Sequence, residues 1–242
     1  MKPVVLMSLP NCNFLIGTFD LENYVKWWKS YPLDGVESIE KGMMAYAQIH
    51  IALCKMLDGT WSIFQSMNYG INWTEVLNHP HKVYDIQRID YGRIIFNDAI
   101  GDWYETIDAG TTWNKVLDAG PVCPAFANIG GGDILIGHDG RYLWRSVDLA
   151  RNWVKVCDLH ELKHRENGGD VTYQGYTVPS VAGACSRTRA AHGPWMARSD
   201  DWGLTWQSDH SWDSYYDDVV EGYNGQDCYL SQYFPPPGVV AY

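Results

Sequence analysis

Residues 106–113 read Thr-Ile-Asp-Ala-Gly-Thr-Thr-Trp, and three other segments match them without a gap. These are Ser-Met-Asn-Tyr-Gly-Ile-Asn-Trp (66–73), Ser-Val-Asp-Leu-Ala-Arg-Asn-Trp (146–153) and Ser-Asp-Asp-Trp-Gly-Leu-Thr-Trp (199–206). The shared pattern is Ser/Thr-x-Asp/Asn-x-Gly-x-Thr/Asn-Trp, with Ala150 in the glycine place of the third copy. The closing Trp73, Trp113, Trp153 and Trp206 stand 40, 40 and 53 residues apart. A period of ~40 residues is the length of a four-stranded propeller blade. The chemistry of each copy is local. Asn68, Asp108, Asp148 and Asp201 are placed to accept main-chain N–H bonds within a hairpin turn. The glycine supplies a left-handed backbone position. The hydroxyls bond back into the turn, and the tryptophan leaves it to fill space between blades.

The flanks agree. Short alternating strands precede each turn at 61–65, 103–105, 142–145 and 195–198, and outer strands follow the first three at 74–77, 114–117 and 154–157. Tight turns at Asp58-Gly59, Gly101-Asp102 and Asp139-Gly140 come before them. The expected fold is therefore all-β, a β-propeller of four-stranded antiparallel blades. One domain spans 1–242, with blades at roughly 1–35, 36–77, 78–118, 119–158, 159–212 and 213–242. Terminal strands are expected at 4–9, 14–19 and 24–30, and at 218–223, 228–234 and 239–242. If 4–9 completes the last blade there are five blades in a closed ring; if it opens its own there are six, and an open ring is allowed.

Composition narrows the function. The chain has 242 residues and a formal charge of −11, which argues against partners gripped through phosphate and against a polybasic membrane anchor. Apolar residues make up 46% and charged ones 19%, which excludes disorder. No apolar run approaches the ~18 residues of a membrane span. The start, MKPVVLMSLPNC, holds too short an apolar run for a signal peptide, so the expected setting is cytoplasmic or virion-associated. The six cysteines (12, 54, 123, 157, 185, 228) are scattered and read as reduced thiols.

The four turns resemble the Asp-box, or BNR repeat, of the sialidase-like β-propellers, which occurs in sialidases, other glycoside hydrolases, photosystem assembly factors and many phage and secreted proteins. The resemblance covers 66–206 directly. It implies the fold and leaves function open, because the superfamily is functionally diverse. A sialidase reading fails on named residues. The Phe/Tyr-Arg-Ile-Pro motif is absent, and no arginine precedes Arg88. Arg88, Arg141, Arg145, Arg187 and Arg189 are the candidates for an arginine triad, with no supporting motif. The leading expectation is a non-catalytic binding or assembly module, a phage or prophage structural or carbohydrate-binding protein, with no catalytic residues and no cofactor beyond a weak surface zinc or calcium. Its partner is a protein or a glycan. The rival is a glycan-active hydrolase, for which Asp209, Asp213, Asp217, Asp218 and Glu221 offer an acidic cluster.

Propeller geometry puts the repeated turns on one face. The opposite face is expected to carry 78–82, 97–102, 118–121, 137–141, 158–170, 187–194 and 207–216. Seven of the eight histidines fall there: His79, His81, His138, His160, His164, His192 and His210. The expected binding set is His138, Arg141, Arg187, Arg189, His192, Trp202 and Trp212, the last two being aromatics without a role in the repeat. His160-Glu161-Leu162-Lys163-His164 spells H-E-x-x-H, the zinc-protease pattern. Lys163 and Arg165 place cations in and beside it, so it is expected to be a solvated loop, with His160 and His164 at most a weak metal pair.

Overall fold

The computed structural model describes the backbone of residues 4–9, 13–20, 24–46, 48–68, 70–129, 133–159, 161–162, 180–184, 187–192, 195–208, 216–221 and 228–232, and side chains over most of 33–162 and over 197–207. The chain divides into two compact units, Met1–Val116 and Leu117–Tyr242. The first holds a three-stranded sheet of β1 (Val4–Leu9), β2 (Asn13–Asp20) and β3 (Tyr24–Pro32). Two four-stranded sheets follow: β4 (Val36–Tyr46), β5 (Ile49–Met56), β6 (Trp61–Ser66), β7 (Thr74–His79), then β8 (Val83–Arg88), β9 (Ile94–Asp98), β10 (Trp103–Thr106), β11 (Asn114–Leu117). The second unit begins with β12 (Ala125–Ile129), β13 (Ile134–His138), β14 (Tyr142–Ser146) and β15 (Val154–Asp158). It continues with β16 (Ser180–Ala184), β17 (Arg187–His192), β18 (Trp195–Ser199) and β19 (Gln207–Ser208), and a two-stranded sheet of β20 (Tyr216–Glu221) and β21 (Cys228–Gln232). Neighbouring strands in each sheet follow one another in sequence, as blades do. Residues 239–242, expected as a strand, lie outside the described residues.

Packing follows the period of two along each strand. In the β4–β7 sheet, Ile51, Leu53 and Ile63 face a core shared with Val83, Ile86, Ile94 and Phe96 of the next sheet. Their neighbours Ala52, Cys54 and Phe64 face the other way, onto Val36 and Trp73. Both faces of the sheet are thus covered, which is why β6 (Trp-Ser-Ile-Phe-Gln-Ser) is buried at every residue. In the second unit Ile129, Ile136, Leu143 and Ala197 form the equivalent core, with Trp206 against it. Each such fully buried aliphatic or aromatic side chain contributes roughly 1.5–3 kcal/mol.

The four repeated turns share one hydrogen-bond circuit. The first residue's hydroxyl donates to the third residue's carboxylate or amide oxygen: Ser66 to Asn68 (3.1 Å), Thr106 to Asp108 (2.7 Å), Ser146 to Asp148 (2.8 Å), Ser199 to Asp201 (2.8 Å). The same hydroxyl accepts the N–H of the fifth residue, at 2.7–3.0 Å in Gly70, Gly110, Ala150 and Gly203. The third residue's Oδ1 accepts the N–H of the seventh: Asn72, Thr112, Asn152 and Thr205, at 2.8–2.9 Å. Two consecutive left-handed residues make this geometry in the second, third and fourth turns. The fifth position was expected; the fourth, held by Ala109 (φ 58), Leu149 (φ 55) and Trp202 (φ 62), was not.

Each unit repeats one contact between successive sheets. In the first, Gln65 at the end of β6 donates to the Ala109 carbonyl at 2.8 Å, and Gly110 lies against Ile51, whose Cδ1 is 2.6 Å from where a β-carbon would stand. In the second, Arg145 donates to the Trp202 carbonyl at 2.8 Å, and a β-carbon on Gly203 would stand 2.3 Å from Ile136 Cδ1. Gln65 and Arg145 occupy the same place in their strands, one residue before the turn. The turn of one blade is therefore keyed into the second and third strands of the blade before it.

Candidate functional site

The face opposite the repeated turns was the expected binding surface, and two of its histidines, His79 and His138, are structural. His79, at the end of β7, bonds Asp98 Oδ2 through Nε2 at 2.9 Å, with both side chains buried. Asp98 Oδ1 also accepts the N–H groups of Ile100 and Asp102, closing the β9–β10 turn. His138 is fully buried in β13, and its Nδ1 accepts the Gly140 N–H at 2.8 Å. It offers no surface to a ligand, which corrects its place in the expected binding set. Among those histidines whose side chains are described, His81 is the exposed one.

Arg187, Arg189 and His192 also differ from expectation, since they belong to β17 rather than a loop. Arg189 pairs in register with Ala182 and Arg198, and His192 with Trp195. Two arginines and a histidine in six residues masked an alternating strand. Trp212, His160 and His164 lie outside the described residues. No three of His, Cys, Asp or Glu gather around a metal-sized space among the described residues. Trp202 sits in the fourth turn, 38% exposed, with its carbonyl bonded to Arg145. That is a place within the repeat, which the sequence reading had denied it.

Arg141 is the expected residue that does line a groove. In the second unit an open cavity of about 600 Å³ runs between the β14–β15 edge and the fourth turn, lined by Arg141, Tyr142, Lys155, Asp158, Glu161, Leu204 and Trp206, among others. Arg141 reaches Asp158 with Nη2 at 2.8 Å and Nε at 3.1 Å. That pairing holds the guanidinium pKa above its usual value. Two cations stand over the Tyr142 ring, Lys155 Nζ at 3.5 Å and the Arg141 guanidinium at 4.8 Å from its centroid. Trp144, edge-on to Tyr142, donates its indole N–H to Asp139 Oδ2 at 2.7 Å, which fixes this aromatic wall. Val156, Cys157 and Leu162 add apolar surface, and Leu204, 55% exposed, projects from the far side. Cations stacked on aromatics beside apolar side chains suit an extended segment carrying both an acidic and an apolar group. Sequence reasoning missed Tyr142, Lys155 and Leu204. The signal was the hairpin register, which sets Lys155 opposite Trp144.

The residues of the repeat are occupied within their own turns. Burial pushes the Asp108 carboxylate upward, and the N–H and hydroxyl of Thr112 with the hydroxyl of Thr106 outweigh it, so its pKa is lowered. Asp148 is lowered against the same burial by Asn152 and Ser146. The Thr205 hydroxyl and N–H bring Asp201 down to about 2. Trp113 packs on Phe96 with centroids 5.1 Å apart, Trp73 joins the core of its sheet, and Trp153 lies 3.3 Å from where a Gly137 β-carbon would stand. Trp206 donates its indole N–H to the Gly203 carbonyl at 3.1 Å.

The sheets and their order define a β-propeller protein, and similarity to solved structures agrees. YCF48 bound to D1 peptide matches with a TM-score of 0.54 and 12% identity, over 95% of this chain and 87% of that one. Sqt1 of Saccharomyces cerevisiae matches at 0.61 and 10% identity, over 95% of this chain and 65% of that one. An ancestral GH74 enzyme matches at 0.58 and 14% identity, and there this chain's 83% corresponds to only 28% of the other. No family model matches the sequence, and no match is found among curated proteins.

Proposed function

We propose that the chain is a non-catalytic binding or assembly module of the Asp-box class, and that the groove along Arg141, Tyr142, Lys155 and Leu204 takes an extended segment of a protein partner. A structural place in a phage or prophage particle is one setting that fits this reading. The observation that carries it is the groove itself, with Lys155 stacked on Tyr142 beside the exposed Leu204. The turn circuits support the Asp-box reading, because each carboxylate has its partners inside its own turn. YCF48 being solved with a peptide bound supports a protein partner over a glycan.

The test is to pan a displayed peptide library on the purified chain and on Lys155→Glu and Leu204→Ser variants. Enriched peptides are expected to compete with one another and to lose about tenfold or more in affinity in each variant. Enrichment indifferent to both substitutions overturns the groove assignment. A second reading has its own observation: the likeness to an ancestral GH74 enzyme, and Asp158 and Glu161 lining one cavity. Turnover of chromogenic glycosides that disappears in Asp158→Asn or Glu161→Gln would make this chain a glycosidase.

A further inference from the structure

His79 and His81 flank Pro80 where β7 leaves its sheet. A residue before proline is confined to extended backbone, and along extended backbone residues two apart project to the same side. The two imidazoles accordingly stand together, with ring centroids 5.8 Å apart. The His79 ring is held in place from several directions. Phe96 and Tyr104 meet it edge to face, at 5.7 Å and 5.1 Å between centroids, and Asp98 bonds its Nε2 at 2.9 Å.

Asp98 decides which nitrogen of His79 is left for other work. Its Oδ1 accepts the N–H groups of Ile100 and Asp102, and its Oδ2 faces His79 Nε2. A carboxylate accepts and does not donate, so Nε2 carries the proton and Nδ1 of the neutral ring holds the lone pair. Among the described residues Nδ1 has no hydrogen-bond partner. A carboxylate that fixes one nitrogen of a histidine and leaves the other as a donor is the arrangement that stands behind metal-bound histidines, where it orients the ring and raises its basicity. The closing of the strand end accounts for Asp98; it does not call for a second imidazole two residues further on.

We propose that His79 Nδ1 and the His81 imidazole bind a divalent transition-metal ion of the zinc class, with water at its remaining positions. Two imidazoles on one tetrahedral ion, with metal–nitrogen bonds of about 2.0–2.1 Å, have their centroids about 5 Å apart. The observed 5.8 Å closes to that with a small turn of the exposed His81 side chain. Imidazole donors suit zinc, copper and nickel, whereas magnesium and calcium take oxygen. Asp98 sets a carboxylate behind the first ligand. Two nearby lysines are drawn elsewhere, Lys115 onto Asp102 at 2.6 Å and Lys82 over the Tyr84 ring at 4.8 Å. The pair His160 and His164, by contrast, has Lys163 between its members. The site lies in the first unit and does not rest on the groove of the second.

The experiment is calorimetric titration of the full chain with zinc(II), with melting temperatures measured with and without the metal. The parent is compared with His81→Asn, with His79→Gln, and with a His160→Ala, His164→Ala double variant. His81 is exposed, so its replacement leaves the fold intact. Glutamine at position 79 keeps an N–H for Asp98 and removes the Nδ1 lone pair. The parent is expected to melt at a higher temperature with zinc and at an unchanged one with magnesium or calcium. His81→Asn and His79→Gln are each expected to weaken zinc binding at least about tenfold, while the His160→Ala, His164→Ala variant keeps it. A parent that takes up no zinc, a folded His81→Asn variant that binds it like the parent, or a loss confined to the His160→Ala, His164→Ala variant each overturns the proposal.

Discussion

At the scale of single residues, the fifth position of each turn has two demands on it, and Gly110 shows both. Its φ of 96° costs an L-residue roughly 1–2 kcal/mol, and a β-carbon there would stand 2.6 Å from Ile51 Cδ1. Gly110→Ala is expected to lower the urea midpoint markedly. Ile51→Val removes the obstructing methyl, so the double variant should recover about 1 kcal/mol relative to the sum of the singles; strict additivity would contradict the keyed contact. The aspartates carry a pH signature. A carboxyl whose folded pKa lies below its unfolded value contributes stability that is fully present above the unfolded value, near ~4. That stability is lost as pH falls through the folded value, which is about 2 for Asp201. Asn68 keeps the same 2.9 Å main-chain bond without titrating. The Asp108→Asn, Asp201→Asn variant should therefore lose less stability than the parent between about pH 7 and about pH 3. Thr112 and Thr205 can turn their hydroxyls to accept from the new amides. Urea titrations at the two pH values check this, and equal losses would contradict it. Ala109, Leu149 and Trp202 were illegible at this scale, because nothing about alanine, leucine or tryptophan announces a positive φ.

Between elements, the account rests on contacts from one blade to the turn of the next. Gln65 is buried, and its amide holds the Ala109 carbonyl. Gln65→Ala should cost about 1–3 kcal/mol, and Gln65→Glu more, because a carboxylate would face a carbonyl oxygen in a dry place. Chemical denaturation of the two variants orders them, and a milder Glu variant would contradict the contact. Trp113→Ala should cost about 3 kcal/mol, at the low end for aromatic truncation because the indole is only half-buried. Most strands were legible here because hydrophobic alternation and turn chemistry agree along 61–77, 94–117 and 134–157. β17 was not, since Arg187, Arg189 and His192 imitate a polar loop. The buried His138 misled in the same way: a polar residue that serves a strand end looks, in sequence, like one that serves a ligand.

For the whole molecule, four copies of one turn were enough to read a propeller, while the groove was out of reach. Its walls come from Arg141 and Tyr142, from Lys155 across a hairpin, from Glu161 beyond β15, and from Leu204 in the next blade. Only the strand register and the seating of the fourth turn join them, and neither is written in a motif. Function in this fold depends on such junctions, because the turns that define it consume their own polar groups. The direct measurement is hydrogen–deuterium exchange of the chain with and without a peptide enriched by panning. Protection is predicted in 141–162 and 204–206, with the turns at 66–73 and 106–113 unchanged by the peptide. Protection confined to other segments, with 141–162 and 204–206 exchanging as in the free chain, would contradict the groove as the binding site.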